Sequence, residues 1–166
     1  MVKSYNVLFV CTGNSARSIL AEAIMNHASD GRFRAFSAGS FPKGAVHPYT
    51  LDLLRTCGIP VDGLRSKSWK EFAAPDASAM DFVFTVCDQA AAEPCPAWVQ
   101  TPIRAHWGTP DPAAVAGSEL ERRAAFRDAF AVIERRIKIF MSLPVEALDR
   151  IALQGQVVRI GRDQAA

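Results

Sequence analysis

The sequence predicts an α/β protein of three layers: a four-stranded parallel sheet with helices on both faces. Two observations carry this expectation. Short runs such as Val7–Val10 and Phe82–Val86 are almost wholly apolar, as strands covered on both faces must be. They alternate with segments of helical periodicity, and strand-helix alternation builds parallel sheets. A chain of 166 residues, 49% hydrophobic and 22% charged, can bury the core that such a fold needs.

Each element has a local reason. Val7–Val10 is the first strand. A tight loop, Cys11-Thr-Gly-Asn-Ser-Ala-Arg17, follows it, and Ser15–Ser29 then has the pattern of a helix. Arg34–Ser37 is the second strand. Pro48–Cys57 starts on a proline and stops at Gly58, which are start and stop signals of a helix. Trp69–Phe72 and Pro75–Met80 are expected to be short helical pieces, and Phe82–Val86 is the third strand. Good helix formers fill most of Asp88–Pro94, and Pro102–His106 is the fourth strand. Ser118–Leu143 is one long helix: Ser118 caps it, and Phe126, Phe130, Ile133, Ile137 and Phe140 form one apolar stripe.

Composition excludes several classes of function. The net charge is +2 and the basic residues are scattered, with no basic stripe interleaved with aromatics, so nucleic acid is not an expected partner. No apolar run approaches membrane-spanning length, and the opening residues lack the pattern of a secretion signal. The expected address is the cytoplasm, with no membrane partner. Four cysteines stand at 11, 57, 87 and 95. Their spacings are too long for zinc sites built from close pairs, so no metal site is expected. Redox or catalytic use of the thiols is the stronger reading. Cys57 ends an apolar helix and reads as structural.

The chemistry concentrates in the first loop. Ligands of parallel sheets bind beyond the carboxyl ends of the strands, where Cys11, Cys87 and Asp111 all fall. A loop between strand and helix turns its N–H groups toward an anion at the helix N-terminus. Thr12, Gly13, Asn14, Ser15, Ala16, Arg17 and Ser18 are therefore the expected oxyanion cradle. Cys11 opens the cradle as nucleophile, its thiol pKa lowered by that field. Arg17 closes it with a guanidinium fork. Ser18 is placed to donate to the Cys11 sulfur. Asn14 shapes the turn and ties it to Ser37 after the second strand. Asp111, beyond the fourth strand, is the expected general acid, and His106 lies on the same rim. A helix between Cys87 and Cys95 would hold their sulfurs apart, so a bond between them requires that segment to unwind.

The opening loop, Ser37-Ala-Gly39 and Asp111-Pro112 together resemble the low-molecular-weight protein tyrosine phosphatases. The wording Cys11-Thr-Gly-Asn-Ser, Phe84-Thr-Val-Cys-Asp-Gln, Cys95-Pro96 and His106-Trp-Gly-Thr-Pro-Asp-Pro-Ala113 is similar to the arsenate reductases of that superfamily. The phosphatases usually carry tyrosine after the Asp-Pro pair. Ala113 stands there, which favours a small inorganic substrate over an aromatic one. The resemblance implies one domain over residues 1–143, with 144–166 as a helical extension of it that begins at Pro144. It implies reduction of arsenate through an adduct on Cys11, then a disulfide relay from Cys11 to Cys87 to Cys95. An external dithiol, thioredoxin first, or glutaredoxin or a low-molecular-weight thiol such as mycothiol, would close the cycle. Relatives can hold potassium, here expected near Asn14, Glu22 and Ser37. The chain departs from its relatives in two places. Ala16 replaces a cysteine that several of them carry in the loop, so no disulfide can form within it. The Cys87–Cys95 spacing is one residue longer. The alternative reading is a phosphatase for phosphotyrosine or small phosphomonoesters, which needs neither Cys87 nor Cys95. A non-enzymatic oxyanion-binding module is a third.

Overall fold

A computed structural model describes residues 3–98 and 100–163. The strands β1 (Tyr5–Cys11), β2 (Phe33–Gly39), β3 (Phe82–Thr85) and β4 (Ile103–His106) form one parallel sheet in the order β2-β1-β3-β4. The helices are α1 (Arg17–Ala28), α2 (Pro48–Thr56), α3 (Asp88–Ala92), α4 (Glu119–Met141) and α5 (Arg150–Arg162). Two single turns of 3-10 helix, Trp69–Phe72 and Pro112–Ala114, complete the elements.

The apolar strands are apolar because both faces of the sheet are covered. Along β1 only Asn6 is partly exposed, and all of β3 is buried. Tyr5, Val7, Phe9, Phe82 and Phe84 share one face. There Phe140 of α4 packs edge-on against Phe82 and Phe84, with centroids at 5.0 and 5.3 Å. Trp107 stacks on Phe84 at 4.0 Å. On the opposite face Phe36 meets Phe72 at 5.6 Å, which brings the Trp69–Phe72 turn under the sheet. Full burial of one such ring is worth roughly 1.5–3 kcal/mol, so this aromatic cluster is a large part of what holds α4 to the sheet.

The edge of β4 is closed by α5. Gln154 donates to the Arg104 carbonyl at 2.6 Å, and the Trp107 indole donates to the Val157 carbonyl at 2.9 Å. Gly161 is required here, because a Cβ at that position would overlap the His106 carbonyl.

Two expected elements differ from what is observed. Residues 75–80 form turns and irregular chain in place of a helix. Of them only Met80 is buried, so a helix would have had no apolar face to bury. The backbone there is used otherwise: the Asn6 side chain donates to the Ala79 carbonyl, and Asp81 accepts from the Asn6 N–H. The helix expected from Pro144 starts at Arg150. Residues 144–148 form a turn, and Asp149 caps α5 by accepting from the Ala152 N–H at 2.8 Å. Among the described residues no helix is long and apolar enough to cross a membrane.

Candidate active site

The parallel topology brings the carboxyl ends of β1, β3 and β4 to one rim, where an open cleft of about 860 Å³ lies. Residues 11–17 line it together with Cys87, Asp88, His106, Thr109, Asp111 and Arg136. The cleft draws the chemically active residues from three loops far apart in sequence.

The loop after β1 is shaped from outside. Its carbonyls are taken by neighbouring segments: Cys11, Thr12 and Gly13 accept from the N–H groups of Ser40, Phe41 and Lys43, and Ser15 accepts from His47. Carbonyls drawn outward turn the intervening N–H groups toward the cleft, where α1 begins at Arg17. Asn14 makes the turn with φ +46°, a region that asparagine tolerates better than most side chains. Gly39 lets β2 approach, since a Cβ there would overlap the Thr12 carbonyl.

Asn14 is the hub beneath the loop. Its Oδ1 accepts from the Lys67 N–H at 2.8 Å, which fixes the amide orientation. Its Nδ2 then donates to Ser18 Oγ at 2.8 Å and to Ser37 Oγ at 3.0 Å. The Ser18 oxygen is thereby engaged as acceptor, so its own hydrogen is free for the Cys11 sulfur at 2.8 Å. The Asn14 N–H also donates to that sulfur, at 3.2 Å.

Cys11 is only 3% exposed, and burial pushes its thiol above the ordinary value. The hydrogen bonds from Ser18 and Asn14 lower it in part. This corrects the expectation of a lowered thiol. Charged sulfur at so buried a position costs solvation, and the Arg17 guanidinium is engaged elsewhere. The Arg17 Nη1 donates to the Thr109 carbonyl at 2.8 Å, and its Nη2 stands 3.7 Å from Asp111 Oδ2. Cys11 alkylation should therefore rise steeply with pH, because thiolate accumulates only on approach to a raised pKa. Ser18→Ala removes a bond that lowers it and should slow alkylation at fixed pH about tenfold. Equal rates for the two proteins between pH 6 and 9 would remove Ser18 from this role.

Asp111 is 40% exposed on its side chain and faces the cleft, its Oδ1 accepting from the Ala113 N–H at 3.0 Å. Cys87 follows β3 and is 2% exposed. Its sulfur lies 3.4 Å from Thr12 Oγ1 and accepts from the Ala90 N–H, so it caps α3. Cys95 lies beyond the end of α3, partly buried against the core and outside the cleft lining. Cys57 is exposed at the end of α2, which does not fit the packing role expected of it.

Sequence reasoning missed two groups, Arg136 and Lys67, and of His106 it placed the side chain on the rim without its partners. Arg136 of α4 donates to the Gly108 carbonyl at 2.9 Å and Thr109 Oγ1 at 3.3 Å, steadying the loop that carries Asp111. His106 joins Asp88 at 2.7 Å and Thr85 at 2.8 Å, tying α3 to β4. Lys67 is buried, with Nζ 3.2 Å from Ser37 Oγ and 3.5 Å from Glu22 Oε1. The residues expected to hold potassium therefore do not fit it, because an ammonium already stands beside Glu22 and Ser37, within reach of both oxygens. No short motif marks Arg136 or Lys67; each is legible only as a charge in an otherwise ordinary segment.

A buried thiol at the floor of a strand-to-helix loop, with an arginine and a carboxylate at its rim, is the arrangement that a cysteine nucleophile for tetrahedral oxyanions requires. Comparison with known proteins agrees with this geometry. The chain belongs to the low molecular weight phosphotyrosine protein phosphatase family, whose pattern matches residues 6–153. It is similar to the arsenate reductase of Halalkalibacterium halodurans, 34% identical over 134 residues, 81% of this chain and 93% of that one. A solved arsenate reductase from Archaeoglobus fulgidus is 28% identical, covering 82% of this chain and 99% of its own, with a TM-score of 0.67. A thioredoxin-dependent arsenate reductase from Corynebacterium glutamicum shares the fold at 21% identity, with a TM-score of 0.58. It covers 81% of this chain, which spans 59% of that longer one.

Proposed function

We propose that this chain is an arsenate reductase, an oxidoreductase built on a phosphatase-like fold. The observation that carries this reading is a second buried thiol lying against the nucleophile's loop, Cys87 Sγ being 3.4 Å from Thr12 Oγ1. A phosphatase needs one thiol here; a two-electron reduction needs a second. Two arsenate reductases, each 34% identical to the chain and matched over 93% of its own length, support the same substrate.

The Cys11 thiolate attacks arsenic, and water leaves as Asp111 supplies a proton to the departing oxygen. The loop N–H groups and Arg17 hold the remaining oxygens, Arg17 exchanging its Thr109 carbonyl for the anion. The Cys87 thiolate then attacks the Cys11 sulfur. The sulfur–arsenic bond breaks with its electron pair left on arsenic, which departs as arsenite. The Cys11–Cys87 disulfide that remains is attacked by Cys95, freeing Cys11 and leaving Cys87–Cys95 oxidised. An external dithiol of the thioredoxin type reduces that bond. Glutaredoxin with glutathione, or mycothiol, is the alternative donor, and a reducing cytoplasm is the setting in which such a relay turns over.

Arg17→Lys keeps the charge but loses the planar fork, and kcat/KM for arsenate should fall about a hundredfold. The function is tested by following arsenate-dependent NADPH oxidation with thioredoxin and thioredoxin reductase, then with the two alternative donors. Arsenate-dependent oxidation with any of them supports reduction. Fast hydrolysis of an aryl phosphate with no arsenate-dependent oxidation would return the site to phosphatase chemistry.

A further inference from the structure

We propose that Lys67 is a positioning residue for the Cys11 loop, its ammonium acting as a tethered monovalent cation that replaces any alkali ion from solution. The Lys67 Nζ donates to Ser37 Oγ at 3.2 Å and to the Arg65 carbonyl at 2.9 Å, with Glu22 Oε1 at 3.5 Å. A hydroxyl, a carbonyl and a carboxylate around one positive charge form the donor set of a hard cation. Ammonium and potassium ions are of similar size, so the set suits either.

Burial makes this charge consequential. Lys67 is 8% exposed, and burial pushes its pKa down and that of Glu22 up, each opposed by attraction to the other. Removing one member would leave the other uncompensated in a closed site. The same residue governs Asn14 from two directions. Its backbone N–H sets the Asn14 oxygen, and its side chain sets the Ser37 hydroxyl that receives the Asn14 amide. Ser37 donates onward to Glu22 at 3.0 Å, so its hydrogen is committed away from Asn14. Asn14 in turn orients Ser18 toward the Cys11 sulfur. The ammonium thus reaches the nucleophile only through the orientation of these side chains.

A buried ion pair that merely joins α1 and β2 to the segment at residue 67 would cost stability when broken, and no ion would restore the loop's reactivity. The experiment separates the two. Cys11 alkylation, mapped by mass, and arsenate turnover are measured as choline chloride is exchanged for potassium chloride at constant ionic strength. The natural protein should be indifferent to the exchange. Lys67→Ala in choline should lose roughly tenfold in alkylation rate and in kcat/KM, and regain most of it with potassium or methylammonium. Potassium activation of the natural protein would overturn the proposal. So would a Lys67→Ala protein of unchanged reactivity, or a loss that no small cation restores. Should Lys67→Ala fail to fold, Lys67→Met, which keeps the bulk and removes only the charge, is put through the same exchange, with the same loss and rescue expected. The alkylation arm needs no arsenate chemistry, so its failure is distinct from failure of the proposed reaction.

Discussion

Cys87→Ser should abolish arsenite production while leaving the protein folded and its anion cradle occupied normally. Serine keeps the small size of the buried site and remains a good N-cap, so α3 retains the bond now made from the Ala90 N–H. The Cys11–Arg17 loop is braced by Asn14, Ser37 and Lys67, and its one contact with Cys87 is the Thr12 hydroxyl at 3.4 Å, which a serine hydroxyl can also meet. What disappears is the only second thiol placed against the loop among the described residues. A serine hydroxyl cannot take over as the sulfur nucleophile at neutral pH, because its pKa is far above that of a thiol. Steady-state reduction should fall by about a thousandfold or more. Protection of Cys11 from alkylation by phosphate should be unchanged. Retained arsenate turnover in this variant would remove Cys87 from the reaction.

Cys95→Ser should behave differently: one arsenite per enzyme, released at the normal rate, and then arrest. The first two chemical steps use residues already on the cleft. The third requires a rearrangement, because α3 separates Cys87 from Cys95. Five helical residues rise about 7.5 Å, and a disulfide needs Cα atoms within roughly 7 Å. The helix is also anchored at its start by Cys87 itself and by the Asp88–His106 contact at 2.7 Å. Forming the Cys87–Cys95 bond removes the first anchor's thiol from its capping role and draws the chain of α3 out of helix. Without Cys95 the enzyme should accumulate as the Cys11–Cys87 disulfide. Mass mapping after addition of excess arsenate should find that bond and a stoichiometry near one. Continued turnover with thioredoxin would mean that Cys87 or Cys11 is reduced directly from outside.

Some of this was legible because it depends on neighbours in the chain. The Cys11–Arg17 loop lies between an apolar strand and a helix, and that local order alone implies an anion cradle. The Asn14–Ser37 tie was readable because a turn-forming amide needs a partner at the end of the adjacent strand, and it is found at 3.0 Å. The Pro75–Met80 expectation failed for the opposite reason. Helix propensity there met no apolar surface to cover, and pairing with Asn6 at the start of β1 took the backbone instead. The Cys11 expectation failed because a local field was weighed without the desolvation that 3% exposure imposes. The first is set by seven consecutive residues; the second is set by everything packed over them.

The sequence by itself determined the layers, the succession of strands and helices along the chain, and which residues are candidates for nucleophile, anion-binding arginine and further thiols. These follow from hydrophobic period and from residue types within short windows, which act before the chain is folded. Only the tertiary structure decided that Cys87 lies against the Cys11 loop while Cys95 waits beyond α3. It alone decided that Arg17 rests on Thr109, and that the Lys67 ammonium sits beside Glu22 and Ser37. Those facts depend on charges and hydrogen-bonding groups distant in the chain meeting where water is excluded. The strength of such a meeting is set by burial, and burial belongs to the assembled fold.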